Sequence, residues 1–160
     1  MRKIVAFFTF LCILQAAPVW ADKEDLKNGF MGIAWGSAAS DLPGALQVAT
    51  LLADGNPTAF SSRVASIGGL KVNEIQFFYC NNKFGQAVIL HDDMEQLTQA
   101  LIAVYGPPDI RHDDGIINWR VDISPDSNEV ATIGIIPQRQ AAVVVNSNYL
   151  TQMLEEVTGK

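Results

Sequence analysis

Two tripeptides, His91-Asp92-Asp93 and His112-Asp113-Asp114, contain both histidines of the 160-residue chain. Imidazole beside carboxylate suits zinc, or another divalent ion where carboxylates dominate. If the two loops met at one end of a sheet, His91, Asp93, His112 and Asp114 would be the candidate ligands of a metal-dependent hydrolase. The same residues also have a plain structural use. Asp92-Asp93 suits a helix start, and Asp113-Asp114-Gly115 suits a turn. Adjacent residues rarely hold one ion together, and no recognised ligand spacing is present. Other catalytic chemistry is thinner still. There is no Gly-x-Ser-x-Gly elbow and no phosphate-cradling glycine loop. Cys80 beside a histidine could act as a nucleophile. It falls near a hairpin tip, where it would lack a concave pocket, and such a cysteine usually behaves as a small buried hydrophobe. No catalytic residue is therefore assigned, no cofactor is expected, and the reading leans away from an enzyme.

The bulky residues Phe30, Trp35, Phe77, Tyr79, Phe84, Tyr105 and Trp119 offer a different kind of chemistry. Core packing accounts for most of them. A few on an open sheet face could instead bind a partner, with Trp35, Phe78, Tyr79 and Trp119 as the candidate surface. Phe77 and Phe78 are neighbours in an extended run and must point to opposite faces. A helix covers one face on this reading. The other needs the opening segment, a second copy of the chain, or a partner.

These residues must be positioned by regular elements. The strongest pattern is a hairpin. Residues 72–80 place Ile75, Phe77 and Tyr79 at alternate positions, Asn81-Asn82-Lys83 suit the turn, and residues 84–90 return. A helix follows, capped by Asp92 or Asp93. Its stripe is Met94, Leu97, Leu101 and Val104, and Gly106-Pro107-Pro108 stops it. Residues 109–115 read as a polar loop. Strands are expected over 116–123, 130–136 and 141–145, with a last helix capped by Asn146 or Ser147 and ended by Gly159. Earlier in the chain, Gly29 to Gly36 reads as an opening segment whose aromatics dock on the core. Ser37 to Gly44 reads as a short helical piece, and residues 46–52 and 59–65 read as extended. Asp54-Gly55-Asn56-Pro57 is a turn signal, and Gly68-Gly69 another. The order predicts an α+β fold: an antiparallel sheet of hairpins with a central helix and a C-terminal helix packed on it.

The first 21 residues read as a separate unit. Arg2 and Lys3 precede an uncharged apolar run from Ile4 to Leu14, and Val19-Trp20-Ala21 suits a signal peptidase. The run is too short to span about 30 Å of hydrocarbon. Leu11 before Cys12 excludes a lipobox. The expectation is a signal peptide over 1–21, cleavage near Ala21, a periplasmic or secreted location, and one domain over 22–160. Cleavage removes Arg2, Lys3 and no acid, so the formal charge falls from −6 to −8. An acidic chain with scattered cations has no footprint for nucleic acid. No membrane span is expected in the mature chain. Cys80 alone remains of two cysteines, so the core and not a disulfide must hold the fold.

Several of these segments together resemble a group of uncharacterised small exported bacterial proteins. The likeness is carried by Gly29-Phe-Met-Gly-Ile-Ala-Trp-Gly36, Ile67-Gly-Gly69, Glu74 to Tyr79 with Asn82-Lys83-Phe84, the helix ending Tyr105-Gly106-Pro107, and Trp119. It spans about residues 29–136. The resemblance implies an α+β fold and an envelope location, and brings no activity or cofactor. A looser similarity is to outer-membrane-assembly lipoproteins and β-lactamase-inhibitor-like folds, which bind other proteins. The expected function is a non-catalytic periplasmic protein that binds another envelope protein or a small ligand, or pairs as a homodimer. The alternative is the metal-dependent hydrolase of the two His-Asp-Asp loops.

Overall fold

The computed structural model describes residues 23–52, 57–124 and 126–158. The expected signal peptide, Asp54-Gly55-Asn56 of the expected turn, and Gly159 lie outside the described residues. The strands are β1 (Gly29–Phe30), β2 (Ile33–Ala34), β3 (Ala49–Leu52), β4 (Thr58–Ser62), β5 (Ser66–Ile67), β6 (Leu70–Lys71), β7 (Glu74–Cys80) and β8 (Lys83–Leu90). Helix α1 (Met94–Tyr105) follows, then β9 (Ile110–Arg111), β10 (Ile117–Asp122), β11 (Val130–Ile136), β12 (Ala141–Asn146) and α2 (Ser147–Thr158). Short 3-10 turns lie at Lys23–Lys27, Ala39–Asp41, Gly44–Leu46 and Pro137–Arg139.

Among the described residues, eight strands form one antiparallel sheet in the order β3-β4-β7-β8-β12-β11-β10-β9. Two small ribbons, β1-β2 and β5-β6, stand apart from it. The fold is mixed α/β and dominated by the sheet.

Alternation along the strands decides which face is buried. One row crosses five strands in register: Phe77, Ala87, Val144, Ile133 and Trp119. All five are wholly buried. A second row runs Ile75, Ile89, Ala142, Ile135 and is as deep. The same core takes in Leu97, Leu101 and Tyr105 of α1, and Leu26, Phe30 and Ile33 of the opening segment. Each such Leu, Ile or Phe contributes about 1.5–3 kcal/mol by leaving water. The row behind, Ala59, Phe78, Gln86, Val145 and Thr132, is mostly half-buried. Phe77 and Phe78 do face opposite ways.

The hairpin turn is two residues, Asn81 and Asn82, at φ 50° and 58° between the paired Cys80 and Lys83. Asparagine tolerates that left-handed backbone better than most residues. The register slips once: Phe78 faces Gln86 but Tyr79 faces Phe84, leaving Gly85 as the extra residue of a bulge. A Cβ built on Gly85 would fall inside the Tyr149 ring of α2. The bulge is thus the seat of the last helix. For α1, the Asp93 carboxylate accepts from the Gln96 N–H at 3.0 Å, and Gly106 at φ 77° ends it.

Three expectations shift. The extended run begins at Ala49 and not at Leu46, because Gly44–Leu46 is a 3-10 turn closed by Gln47 at φ 46°. The strand over 59–65 ends at Ser62, after which the chain leaves the sheet to make the β5-β6 ribbon. The loop over 109–115 contains β9, a two-residue strand that pairs with β10 at one sheet edge.

Candidate functional site

A wide concavity lies where three segments distant in sequence meet. These are the Lys23–Lys27 turn with the β1-β2 ribbon, the β5-β6 ribbon, and the C-terminal end of α1. Its volume is about 780 Å³. Leu26, Met31, Ile33, Ile67, Val104 and Tyr105 supply most of the wall, and Asp25 and Asn28 add polar groups. That size and apolar character, with few polar groups, are those of a small-molecule site.

Backbone geometry shapes the walls. The β1-β2 turn is Met31-Gly32, at φ 52° and 77°. The β5-β6 turn is Gly68-Gly69, at φ 55° and 84°. Gly68 lies directly against α1: a Cβ there would sit 2.9 Å from Val104 Cγ2 and 3.0 Å from the Ala100 carbonyl oxygen. The absence of a side chain lets the ribbon touch the helix. The Lys23–Lys27 turn is held by Trp35, whose Nε1 donates to the Leu26 carbonyl at 2.6 Å while its ring stacks on Phe84 at 5.2 Å. Lys23 Nζ lies 2.8 Å from Asp109 Oδ1, and Lys27 pairs with Glu24.

Asp25 and Tyr105 are the two ionisable groups among the described lining residues. Burial, with the negative charge of Asp25 adding to it, pushes the Tyr105 hydroxyl up to about 12. At neutral pH it is a neutral phenol, able to donate or accept a hydrogen bond. The lining residues hold no Cys or His, and Ser66 has no histidine beside it in that wall. The lining thus offers apolar walls, one carboxylate and one phenol hydroxyl.

The residues singled out by chemistry lie elsewhere. His91 Nδ1 faces Asn73 Oδ1 at 3.1 Å, and His91 N–H donates to the Gln140 carbonyl. Asp93 is taken up in the cap of α1, where Gln96 Nε2 also donates to it at 2.7 Å. Those contacts hold its carboxyl below the ordinary range, the backbone bond from Gln96 being the largest cause. His112 Nε2 faces Asn118 Nδ2 at 3.2 Å, and Asp114 Oδ1 accepts from the Ile116 N–H. Both loops do lie at one end of the sheet. However, β8 and β9 are four strand positions apart, roughly 20 Å along the sheet. The Pro137–Arg139 turn contacts both, with Gln138 donating to the Asp114 carbonyl and Gln140 accepting from His91. Among the described residues, no group of three or more His, Cys, Asp or Glu is placed to hold a metal ion.

The four aromatic candidates also separate. Tyr79 and Trp119 have no exposed surface at all and belong to the core, which corrects their place in a binding surface. Trp119 Nε1 donates to the Gly106 carbonyl at 2.8 Å. The Tyr79 hydroxyl is buried without a hydrogen-bond partner among the described residues, and burial followed by the charge of Asp41 pushes it to about 12. Phe78 and Trp35 are half-buried, Phe78 on the face of the sheet away from the core. Cys80 is wholly buried.

Met31, Ile67 and Ala103 escaped the sequence reading as site residues. The available signals were the glycines at 29, 32, 68 and 69, which mark close backbone approaches, and an α1 stripe that widens towards Val104 and Tyr105. No protein-family model, no curated protein and no solved structure matches this chain.

Proposed function

We propose that this chain is a non-catalytic binding protein of the bacterial envelope, exported and cleaved near Ala21, which holds a small apolar ligand in the cavity beside α1. The observation that carries the reading is the roughly 780 Å³ apolar cavity built by three separate segments. Filling it removes from water an apolar wall that is continuous with the core, and each Å² covered is worth about 25 cal/mol. The sequence features that imply an envelope location, the apolar leader and the resemblance of residues 29–136 to small exported proteins, agree with a carrier or sensor of such a ligand. In this reading the central helix α1 closes the core face of the sheet, supported by the complete burial of Leu97 and Leu101. The C-terminal helix α2 closes over the hairpin bulge, supported by Tyr149 at Gly85. The metal-dependent hydrolase draws no support from the contacts of His91, Asp93, His112 and Asp114: the two histidines face the Asn73 and Asn118 amides, and the two carboxylates accept from the Gln96 and Ile116 N–H groups.

The test is a titration of the mature protein with an environment-sensitive naphthylamine probe. Saturable binding at one site is expected. Ala103→Trp should abolish it, since Ala103 lines the cavity from an exposed position on α1. A probe that fails to saturate, or that binds Ala103→Trp as well as wild type, removes the cavity from the function.

A further inference from the structure

We infer that the cavity selects an apolar molecule with one hydrogen-bond-accepting oxygen, a carbonyl or an ether, held by the Tyr105 hydroxyl, its hydrocarbon body against Leu26, Ile33, Ile67 and Val104. This rests on the reading of the cavity as a ligand site and adds the chemical class that site prefers. The place of Tyr105 in the wall is the first support. Asp25, Asn28 and Ser66 also line the cavity, but all three are exposed, whereas Tyr105 is only 8% exposed. It is the one polar side chain buried in that wall among the described residues.

The state of the hydroxyl is the second support. It has no hydrogen-bond partner among the described residues, and unlike the Tyr79 hydroxyl it is not sealed inside the protein. An open hydroxyl, on a side chain otherwise buried in the wall of a cavity, opens onto that cavity. The third support is how firmly Tyr105 is held. It belongs to the core, and the residue after it is fixed on both sides: the Gly106 N–H donates to the Ile102 carbonyl at 2.8 Å, and the Gly106 carbonyl accepts from Trp119 Nε1 at 2.8 Å. A polar group placed in advance by its neighbours gives orientation as well as affinity. Burial, the larger cause, keeps the phenol protonated at neutral pH, so it has a proton to donate. A wholly apolar ligand would take water off this hydroxyl and leave it unpaired, which is unfavourable. A ligand with an acceptor oxygen there restores the bond. Sites built around such a bond discriminate against the analogue that lacks it.

Three probes on one carbon skeleton test this: ethylbenzene, acetophenone and 1-phenylethanol. Each is titrated against the bound naphthylamine probe in the mature protein and in Tyr105→Phe. The variant is expected to weaken acetophenone about fivefold, the loss of one neutral hydrogen bond, and to leave ethylbenzene within about twofold. The infrared carbonyl stretch of bound, carbon-13-labelled acetophenone is a second readout. It should lie below its value in hexane on wild-type protein and return towards that value in Tyr105→Phe. On wild type this readout needs no variant, so it decides the matter even if Tyr105→Phe fails to fold: a stretch equal to that in hexane overturns the inference. No loss for acetophenone also overturns it, and so does an equal loss for all three probes, because the ring is then acting by packing alone. A loss for 1-phenylethanol alone overturns it too, since the hydroxyl would then be accepting and not donating. If the naphthylamine probe binds and none of the three displaces it, the inference falls and the ligand site stands. If the naphthylamine probe itself does not bind, the ligand-site reading falls.

Discussion

Trp35 links two parts of the molecule with one side chain. Its ring lies flat on Phe84 of the hairpin, with planes 9° apart, and its Nε1 holds the carbonyl of Leu26. Trp35→Phe keeps the stack and loses the bond, at a cost of about 1 kcal/mol. Trp35→Ala loses both, at a cost of about 3 kcal/mol. Urea unfolding measures the two, and equal losses would mean that the bond to Leu26 contributes nothing. Titrating groups give a second prediction. Tyr79 and Tyr105 are both pushed from the ordinary 10 up to about 12. A raised folded value means that the neutral form is favoured by folding. Their contribution is therefore complete below pH 10 and is lost as pH rises through about 12. Absorbance of tyrosinate should show Tyr79 and Tyr105 ionising only as the fold opens. Asp93 works in the other direction. Its carboxyl lies below its unfolded value, so its help to α1 is present above that unfolded value and is lost as pH falls through the folded one. Among residues, the cap was legible because Asp-x-x-Gln at a helix start has a local cause. The division of the aromatics was not: Tyr79 and Phe78 are adjacent and similar, and only the register of the whole sheet says which one is inside.

At the scale of elements, two glycines decide how layers meet. Gly85→Ala forces a methyl into the Tyr149 ring and should destabilise the protein by about 1–3 kcal/mol, mainly by lifting α2. Gly68→Ala meets Val104 and the Ala100 carbonyl and also requires a left-handed backbone. It should cost a similar 1–3 kcal/mol and weaken probe binding, because it parts the β5-β6 ribbon from α1. Thermal melts with probe titrations check both, and a Gly68→Ala protein with an unchanged melt and full binding would contradict the close approach. The β7-β8 hairpin and α1 were legible because a period of two and a period of 3.6, each with its own stop signals, extend over seven residues or more. Strands β5, β6 and β9 were not, since two residues carry no period. The cavity stayed hidden for a related reason. Its walls come from residues 25–34, 66–68 and 103–105, and nothing local ties those stretches together.

The whole molecule is predicted to unfold in one step, since a single core takes in the sheet, α1 and the opening segment. Reductant should leave the melting temperature unchanged, because Cys80 is the one cysteine of the chain after residue 21. A shift of several degrees on adding dithiothreitol would show that covalent links between copies matter. Light scattering on residues 22–160 tests the expectation of a homodimer, which a monomer mass would remove. The burial of Cys80 has a consequence for how the chain must reach its native state. In the oxidising envelope compartment proposed for the chain, the sulfur is protected only once the fold that buries Cys80 has formed. Folding and oxidation then compete in time for the same atom. Variants that slow the hairpin should accumulate as mixed disulfides and linked pairs, even where the finished fold is as stable as wild type.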